Sequence, residues 1–146
     1  MDIGPLLVIP YLVSPPVIDG RLEPEVWNHA AQVTGFLHTT GNIASRQSSV
    51  LAGFDDEHLY LAFVSFNESG GQANVKERDN AAVFTDDAIE VYLQPDPASG
   101  TYFLLGGNAL GTQYDAKGQD GSWNAEWKLG CQRDYDSYFV AATWTA

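Results

Sequence analysis

Acidic residues at turns are the first side chains of this sequence that could do chemistry. Asp86 and Asp87 stand at the start of an alternating segment in which Glu90 follows. Such carboxylates can bind a cation or accept hydrogen bonds from hydroxyl groups, and they can equally be solvated turn acids without a ligand. No acidic turn has the spaced ligands of an EF-hand calcium loop, so spacing alone assigns no metal site.

Tryptophans are the second group. Trp123 lies in the polar stretch Gly121–Asn124, where an exposed indole ring could stack on the apolar face of a sugar ring. The same residue could instead cap a hydrophobic core. Trp27 and Trp144 lie in apolar patterns and are expected in the core, whereas Trp127 fits either environment.

The sequence lacks the patterns of common catalytic centres, and we expect no enzyme activity. It contains no Gly-x-Ser-x-Gly elbow, and its three histidines have no metal-binding spacing. Pairs of acids can hydrolyse glycosides, but nothing here marks one carboxyl group as buried. Cys131 is alone, which excludes an internal disulfide and a cysteine-based metal site.

The charge balance restricts the classes of partner. Nineteen acidic residues against 7 basic ones give a net charge of −12. This charge would be repelled by the phosphates of a nucleic acid and by an anionic membrane surface. No apolar run reaches the roughly 18 residues of a membrane-spanning helix. A neutral ligand such as a sugar is compatible with the composition.

Short strand-like segments between turns predict an all-β fold, an antiparallel β-sandwich of the immunoglobulin or jelly-roll type, as a single domain over residues 1–146. Pro24 predicts one short helical turn within Leu22–Ala31. Residues 68–82 are expected to form a surface loop. The predicted strands are Val33–Thr40, Ser48–Phe54, His58–Asn67, Ala88–Gln94, Thr101–Gly106, Gly111–Ala116, Trp127–Arg133 and Tyr138–Thr145. His58–Asn67 is apolar on both faces and should be central, covered on both sides.

Four segments, taken in order, resemble the family 9 carbohydrate-binding modules. They are Val17–Leu22 followed by Trp27, Phe54–Ala62, Asp86–Leu93, and Asn108–Ala116. The resemblance implies a β-sandwich, structural calcium, and non-catalytic recognition of an oligosaccharide or polysaccharide. It also implies a module of a secreted polysaccharide-degrading enzyme, located outside the cell or in the periplasm.

The resemblance also implies a set of sugar-binding residues. Glu90 and Asn108 match a glutamate and an asparagine that bond sugar hydroxyls. Phe84 falls where relatives have the first of two tryptophans that clamp a sugar ring, and Gly106 falls where they have an arginine. The second clamp tryptophan would lie beyond Ala146. With Trp123 as a further stacking candidate, the predicted sugar-binding residues are Phe84, Glu90, Asn108 and Trp123.

Three further expectations concern alternatives and partners. Related sandwiches hold haem through methionine, but Met1 is the only methionine and lies outside the patterned region, so we expect no haem.

Relatives continue past the last strand, so a chain truncated there would leave an open sheet edge and could self-associate through it. Because Phe84 and Gly106 depart from the family pattern, the alternative is a structural or interaction domain that has lost sugar binding.

Overall fold

The computed structural model describes residues 6–66, 71–133 and 138–145, and this part of the chain forms an antiparallel β-sandwich. The strands are β1 Ala31–Val33, β2 Ser48–Phe54, β3 His58–Ser65, β4 Ala88–Leu93, β5 Phe103–Asn108, β6 Gln113–Lys117, β7 Trp127–Arg133 and β8 Tyr138–Thr145. A short helix, α1 (Pro24–Trp27), precedes them, and a 3-10 helix covers Ala81–Thr85. The predicted all-β class and the helical turn beginning at Pro24 are confirmed.

The strands form two sheets. One sheet has five strands in the order β1-β2-β3-β8-β7, and the other has three in the order β4-β5-β6. The β2–β3 hairpin turns at Asp55, whose Oδ1 accepts the N–H groups of Glu57 and His58 at 2.8 Å each. Its Oδ2 accepts the Tyr60 hydroxyl at 2.5 Å, and this bond lowers the pKa of Asp55. The acidic turn thus fixes the hairpin by satisfying its backbone.

The five-stranded sheet is covered on both faces, as predicted for β3. One face packs against the amino-terminal segment and α1, where Leu12, Trp27, Tyr60 and Ala62 form a buried cluster. The amino-terminal segment is extended, and in the described part of the chain a parallel bridge joins its Tyr11 to Phe54 at the end of β2. The molecule therefore has three layers: the amino-terminal segment with α1, the five-stranded sheet, and the three-stranded sheet.

The opposite face of the five-stranded sheet packs against the three-stranded sheet. Two buried clusters fill the interface: Ile89 and Ala109 form one, and Leu105, Ala125 and Trp127 form the other. Phe63 from β3 packs against the first cluster, and Leu129 from β7 packs against both. Trp27 and Trp127 are both buried, so the core prediction for Trp27 is confirmed and the ambiguity for Trp127 is resolved in favour of the core. The side chain of Trp144 lies outside the described part.

Two glycines let the amino-terminal segment cross β7 in main-chain contact. A Cβ atom at Gly130 would lie 2.5 Å from the backbone nitrogen of Gly20 and 2.7 Å from the Asp19 carbonyl carbon. A Cβ atom at Gly20 would lie 2.5 Å from the carbonyl carbon of Cys131, and Gly20 has a φ of +85°. No side chain fits at either position, so the two backbones set the spacing between these layers.

Two predictions about strands were wrong. The predicted strand Val33–Thr40 contributes only its first residue to β1, because Gln47 binds the following segment. Its side chain accepts the N–H groups of Gly35 and Phe36 and donates to the carbonyl oxygens of Phe36 and Ala44. These bonds replace strand pairing in the loop between β1 and β2.

The other correction concerns the last strand. It is not an open edge, since β8 pairs with β3 on one side and β7 on the other. The expected route to self-association through that edge therefore has no basis in the fold. The sequence also predicts a turn around Asp134–Asp136 between the strands Trp127–Arg133 and Tyr138–Thr145, and this turn falls outside the described residues. No helix in the described part is long and apolar enough to cross a membrane.

The main-chain contact at Gly130 leads to a stability prediction. Gly130→Ala should lower the free energy of unfolding by about 1–3 kcal/mol, because the new methyl group meets backbone atoms that cannot rotate away. Urea unfolding followed by tryptophan fluorescence measures the change.

Gly121→Ala is the matched control, since its Cβ would meet only the end of the Tyr114 side chain, with the hydroxyl at 2.8 Å and Cζ at 3.7 Å. That hydroxyl lies at the end of a side chain and can move. Equal stabilities for the two variants would contradict the packing described for Gly20 and Gly130.

Candidate functional site

The outer face of the three-stranded sheet, which points away from the five-stranded sheet, carries the candidate site. Along β4, Ile89 points into the core, whereas Glu90 and Tyr92 point outward and are exposed. Glu90 pairs with Gly106 on β5, which pairs with Tyr114 on β6. We use "outer face" below for Glu90, Tyr92, Gly106 and Tyr114, together with Phe84, which lies over Gly106.

Phe84 reaches the outer face from the 3-10 helix Ala81–Thr85. The sequence did not predict this helix, whose first two residues lie in the loop predicted over residues 68–82. Asn80 caps this helix by accepting the Ala82 N–H at 3.0 Å, and the fully buried Val83 anchors it. The far edge of the Phe84 ring fills the space above Gly106, because a Cβ atom at residue 106 would overlap Phe84 Cε1. The ring also meets Tyr114 edge-on, with 5.2 Å between centroids.

Glu90 is held by a neighbour on its own strand. The Tyr92 hydroxyl donates to Glu90 Oε2 at 3.0 Å, and Tyr92 packs against Tyr102 with 5.9 Å between ring centroids. The bond to the carboxylate, with a smaller contribution from burial, raises the pKa of Tyr92 above its usual value. Glu90 Oε1 makes no hydrogen bond to any described residue, so it faces solvent ready to accept one.

Asn108 does not lie on an accessible surface. Its side chain is 0% exposed. Its amide donates to the Val75 carbonyl oxygen at 2.7 Å and to Asp86 Oδ2 at 2.8 Å, and its Oδ1 accepts the N–H groups of Leu110 and Thr112. All of its hydrogen-bonding positions are occupied by protein. The prediction that Asn108 bonds a sugar hydroxyl disagrees with this placement.

The acidic pair at the start of β4 has a structural role. Asp86 accepts the backbone N–H groups of Asn74 and Val75, and Asp87 accepts that of Gln72 at 2.7 Å. Asp87 and Gln72 are also joined through their backbones. The two carboxylates therefore bind the loop that precedes the 3-10 helix, and they are neither free turn acids nor an open cation site.

Trp123 lies on the core side of the three-stranded sheet and therefore away from Glu90 and Phe84. Its ring is 5.1 Å from that of Phe103, and it packs against the buried cluster that contains Leu105 and Trp127. Of the two interpretations of Trp123, the core-capping one agrees with the structure. The predicted residues that the fold brings together are thus Phe84 and Glu90, whereas Trp123 and Asn108 lie elsewhere.

A buried carboxylate that the sequence analysis did not single out holds the edge of the three-stranded sheet. Asp115 on β6 is 0% exposed and accepts from Arg78 at 2.8 Å, from the Trp127 indole at 2.7 Å and from the Ala125 N–H at 3.2 Å. Arg78 also donates to Gln113 Oε1 at 3.0 Å. The alternation of β6, which puts Asp115 on the inner side and its neighbours Tyr114 and Ala116 on the outer side, was the signal that could have revealed it.

No group of three or more histidine, cysteine, aspartate or glutamate side chains in the described ranges is placed to hold a metal ion. The best acidic candidates, Asp86 and Asp87, already accept backbone N–H groups. Structural calcium therefore stays a prediction from the resemblance.

Solved structures with the same architecture identify the fold. A family 9 carbohydrate-binding module from Caldicellulosiruptor kristjanssonii in complex with cellotriose superposes with a TM-score of 0.64 at 16% identity, covering 94% of this chain and 65% of its own. The fold is that of a family 9 carbohydrate-binding module. A second structure of such a module from that organism, in complex with glucose, gives a TM-score of 0.63 at 15% identity, covering 94% of this chain and 68% of its own.

This chain thus spans about two thirds of the length of those modules. At sequence level the chain matches no protein-family model and no curated protein. The family 9 likeness therefore concerns the fold, and the assignment of a function depends on the outer face.

The Asn108 contacts predict a large loss of stability on truncation. Asn108→Ala should lower the free energy of unfolding by about 3 kcal/mol or more, since each buried group left without a partner costs about 1–3 kcal/mol. Urea unfolding measures the change. Asn42→Ala, in an exposed loop, is the control, and a similar small effect in both variants would show that the buried amide is not needed.

The hydrogen bonds to the Asp86 carboxylate should make the free energy of unfolding depend on pH. Its hydrogen bonds from Val75, Asn108 and Asn74 lower the pKa of its carboxyl group below the usual 3.8, so the folded state favours the ionised form. This stabilisation is present at neutral pH and is lost as the pH falls through the lowered pKa. The stability difference between the wild type and Asp86→Asn should shrink as the pH is lowered towards that range.

Chemical denaturation at a series of pH values tests this expectation, with the exposed Asp56→Asn as the control. A difference between wild type and Asp86→Asn that stays constant down to strongly acidic pH would contradict the role given to the carboxylate.

Proposed function

We propose that this chain is a non-catalytic carbohydrate-binding module that binds a neutral oligosaccharide or polysaccharide on the outer face. One observation carries the proposal: an exposed carboxylate, Glu90, and an aromatic ring, Phe84, share the solvent side of one sheet in the family 9 fold. Structures with this fold that hold cellotriose and glucose support it.

The chemistry of the two side chains is complementary. A phenyl face excludes water from the apolar C–H face of a sugar ring, and a carboxylate accepts hydrogen bonds from its hydroxyl groups. Glu90 Oε1 supplies the acceptor, and its partner Tyr92 fixes the carboxylate at 3.0 Å. We expect modest affinity, because a small sugar offers few atoms and the site is shallow.

Asn108 enters the proposal as a supporting residue behind the site. By fixing Val75 and Asp86 it holds the loop that leads into the 3-10 helix, and therefore Phe84. Trp123 has no role in this proposal, because it packs on the core side.

The resemblance leads us to propose further that the module belongs to a secreted polysaccharide-degrading enzyme and works outside the cell or in the periplasm. Bound calcium, also implied by the resemblance, would act as a structural ion. Both proposals extend beyond the fold likeness, and the absence of a catalytic pattern in the sequence is compatible with an accessory role.

A second candidate function is a structural or interaction domain that has lost sugar binding. Two observations favour it: Gly106 supplies no side chain on the outer face, and Asn108 is buried. Under this alternative the outer face would bind no sugar at any concentration.

Calorimetric titration distinguishes the two functions. We expect saturable binding of glucose, cellobiose, xylobiose or galactose, tested with and without calcium. Glu90→Gln should weaken that binding by about tenfold or more, because a hydrogen bond to a charged group contributes about 1.5–3 kcal/mol.

Glu57→Gln, at an exposed position in the β2–β3 turn, is the matched control and should bind as the wild type does. A folded wild-type protein that gives no heat with any sugar would support the structural alternative. Binding that is unchanged in Glu90→Gln would place the site elsewhere on the molecule.

A further inference from the structure

The outer face carries a second aromatic pair that the sequence analysis did not single out. Tyr92 and Tyr102 pack at 5.9 Å next to Glu90 in the direction of β4, and Phe84 and Tyr114 pack at 5.2 Å next to it across the strands. Tyr92 is 60% exposed, a large fraction for an aromatic residue that packs against a neighbour. We infer that Tyr92, supported by Tyr102, is a second stacking platform and that the ligand is a neutral chain of at least two sugar units. This inference rests on the function proposed above.

The strand register sets the distance between the platforms. Tyr92 lies two residues from Glu90 along β4, about 6.8 Å, and Gly106, under the Phe84 ring, pairs with Glu90 one strand away, at about 4.8 Å. The two positions are therefore about 8 Å apart on the sheet. A sugar ring that lies flat on one platform stacks within about 4 Å of that aromatic ring, so two platforms side by side on one sheet favour a ligand of at least two sugar units.

Glu90 adjoins both platforms and is oriented by one of them. Its Oε2 accepts the Tyr92 hydroxyl, which leaves Oε1 for a ligand hydroxyl at the junction of two sugar units. A carboxylate beside neutral rings suits a ligand rich in hydroxyl groups and disfavours an anionic one such as a uronic acid chain.

Phe84 packs on the sheet in a way that leaves part of the outer face accessible. The Cε1 edge of its ring occupies the space over Gly106, and Tyr114 meets the ring edge-on. Phe84 is half-buried, so part of its ring remains accessible beside the exposed Glu90 and Tyr92. The ligand can therefore lie along the face and extend past it, so internal segments of a chain should bind as well as its ends.

Titration with sugars of increasing length tests the inference. The probes are glucose, cellobiose, cellotriose and cellotetraose, and the matching series from xylose to xylotetraose. In the wild type, affinity should rise about tenfold from the monosaccharide to the disaccharide or trisaccharide of the series that binds.

Variants of Tyr92 show how much the second platform contributes to the increase of affinity with sugar length. Tyr92→Ala should abolish the gain with length when compared with Tyr92→Phe, because both variants lack the hydroxyl that orients Glu90 and only Tyr92→Ala also lacks the ring. Tyr92→Phe keeps the ring and should retain most of the gain. Tyr11→Ala removes a tyrosine of similar exposure, 49%, from the amino-terminal segment and is the control. Urea unfolding verifies that each variant is folded.

The outcomes separate the two proposals. Sugar binding with the same affinity for every length, or a length dependence unchanged in Tyr92→Ala, overturns the second platform and leaves the proposed function intact. Failure of the wild type to bind any member of either series overturns both. An oligosaccharide reduced at its end should bind as well as the unreduced one, and a requirement for the free end would contradict the open surface.

Discussion

A buried amide holds together the parts of the chain that build the outer face. Asn108, at the end of β5, binds the loop at Val75, the carboxylate of Asp86 and the turn that leads to β6. Thr112 donates to the same Val75 carbonyl oxygen at 2.8 Å. Because water cannot replace these bonds inside the protein, the loop, the start of β4 and the β5–β6 turn have one arrangement. The 3-10 helix follows directly from that loop, so the position of Phe84 depends on a residue that no ligand touches.

The two departures from the family 9 pattern are linked by one contact. A phenylalanine replaces the expected tryptophan at residue 84, and a glycine replaces the expected arginine at residue 106. The structure brings these two positions together, since the Phe84 ring occupies the volume that a side chain at Gly106 would need. An arginine at residue 106 would displace the ring. The pair is therefore better understood as an alternative packing of the same surface than as two independent losses.

The sequence predicted much of the fold because local patterns determine it. The bounds of β2, β7 and β8 match the predictions, and those of β3 and β4 differ only at their carboxyl ends, since alternation and acidic turns are local signals. Local patterns do not determine which strands are neighbours, so the central position of β8 was missed. They also do not show that Gln47 binds the loop between β1 and β2.

The candidate site was predicted in part for a similar reason. A resemblance in residue type identified Glu90 and Phe84, but it could not show that Asn108 is buried by a loop from another part of the sequence. Trp123 follows a polar turn, and only the packing against Phe103 places its ring on the core side. The carboxylate of Asp115 has three partners from two distant segments, Arg78 in one and Ala125 and Trp127 in the other, and the spacing along the chain does not show which segments meet there.

The central position of β8 has a consequence for the order in which the protein forms. β3 pairs with β2 through a short hairpin. The partner of its other edge is β8, which follows β7 in the sequence. During synthesis on the ribosome, that edge of β3 stays unpaired while most of the domain emerges, and apolar strands in this state are prone to incorrect pairing. Contacts between distant parts of a chain also slow folding. The five-stranded sheet is therefore completed only after translation of β8.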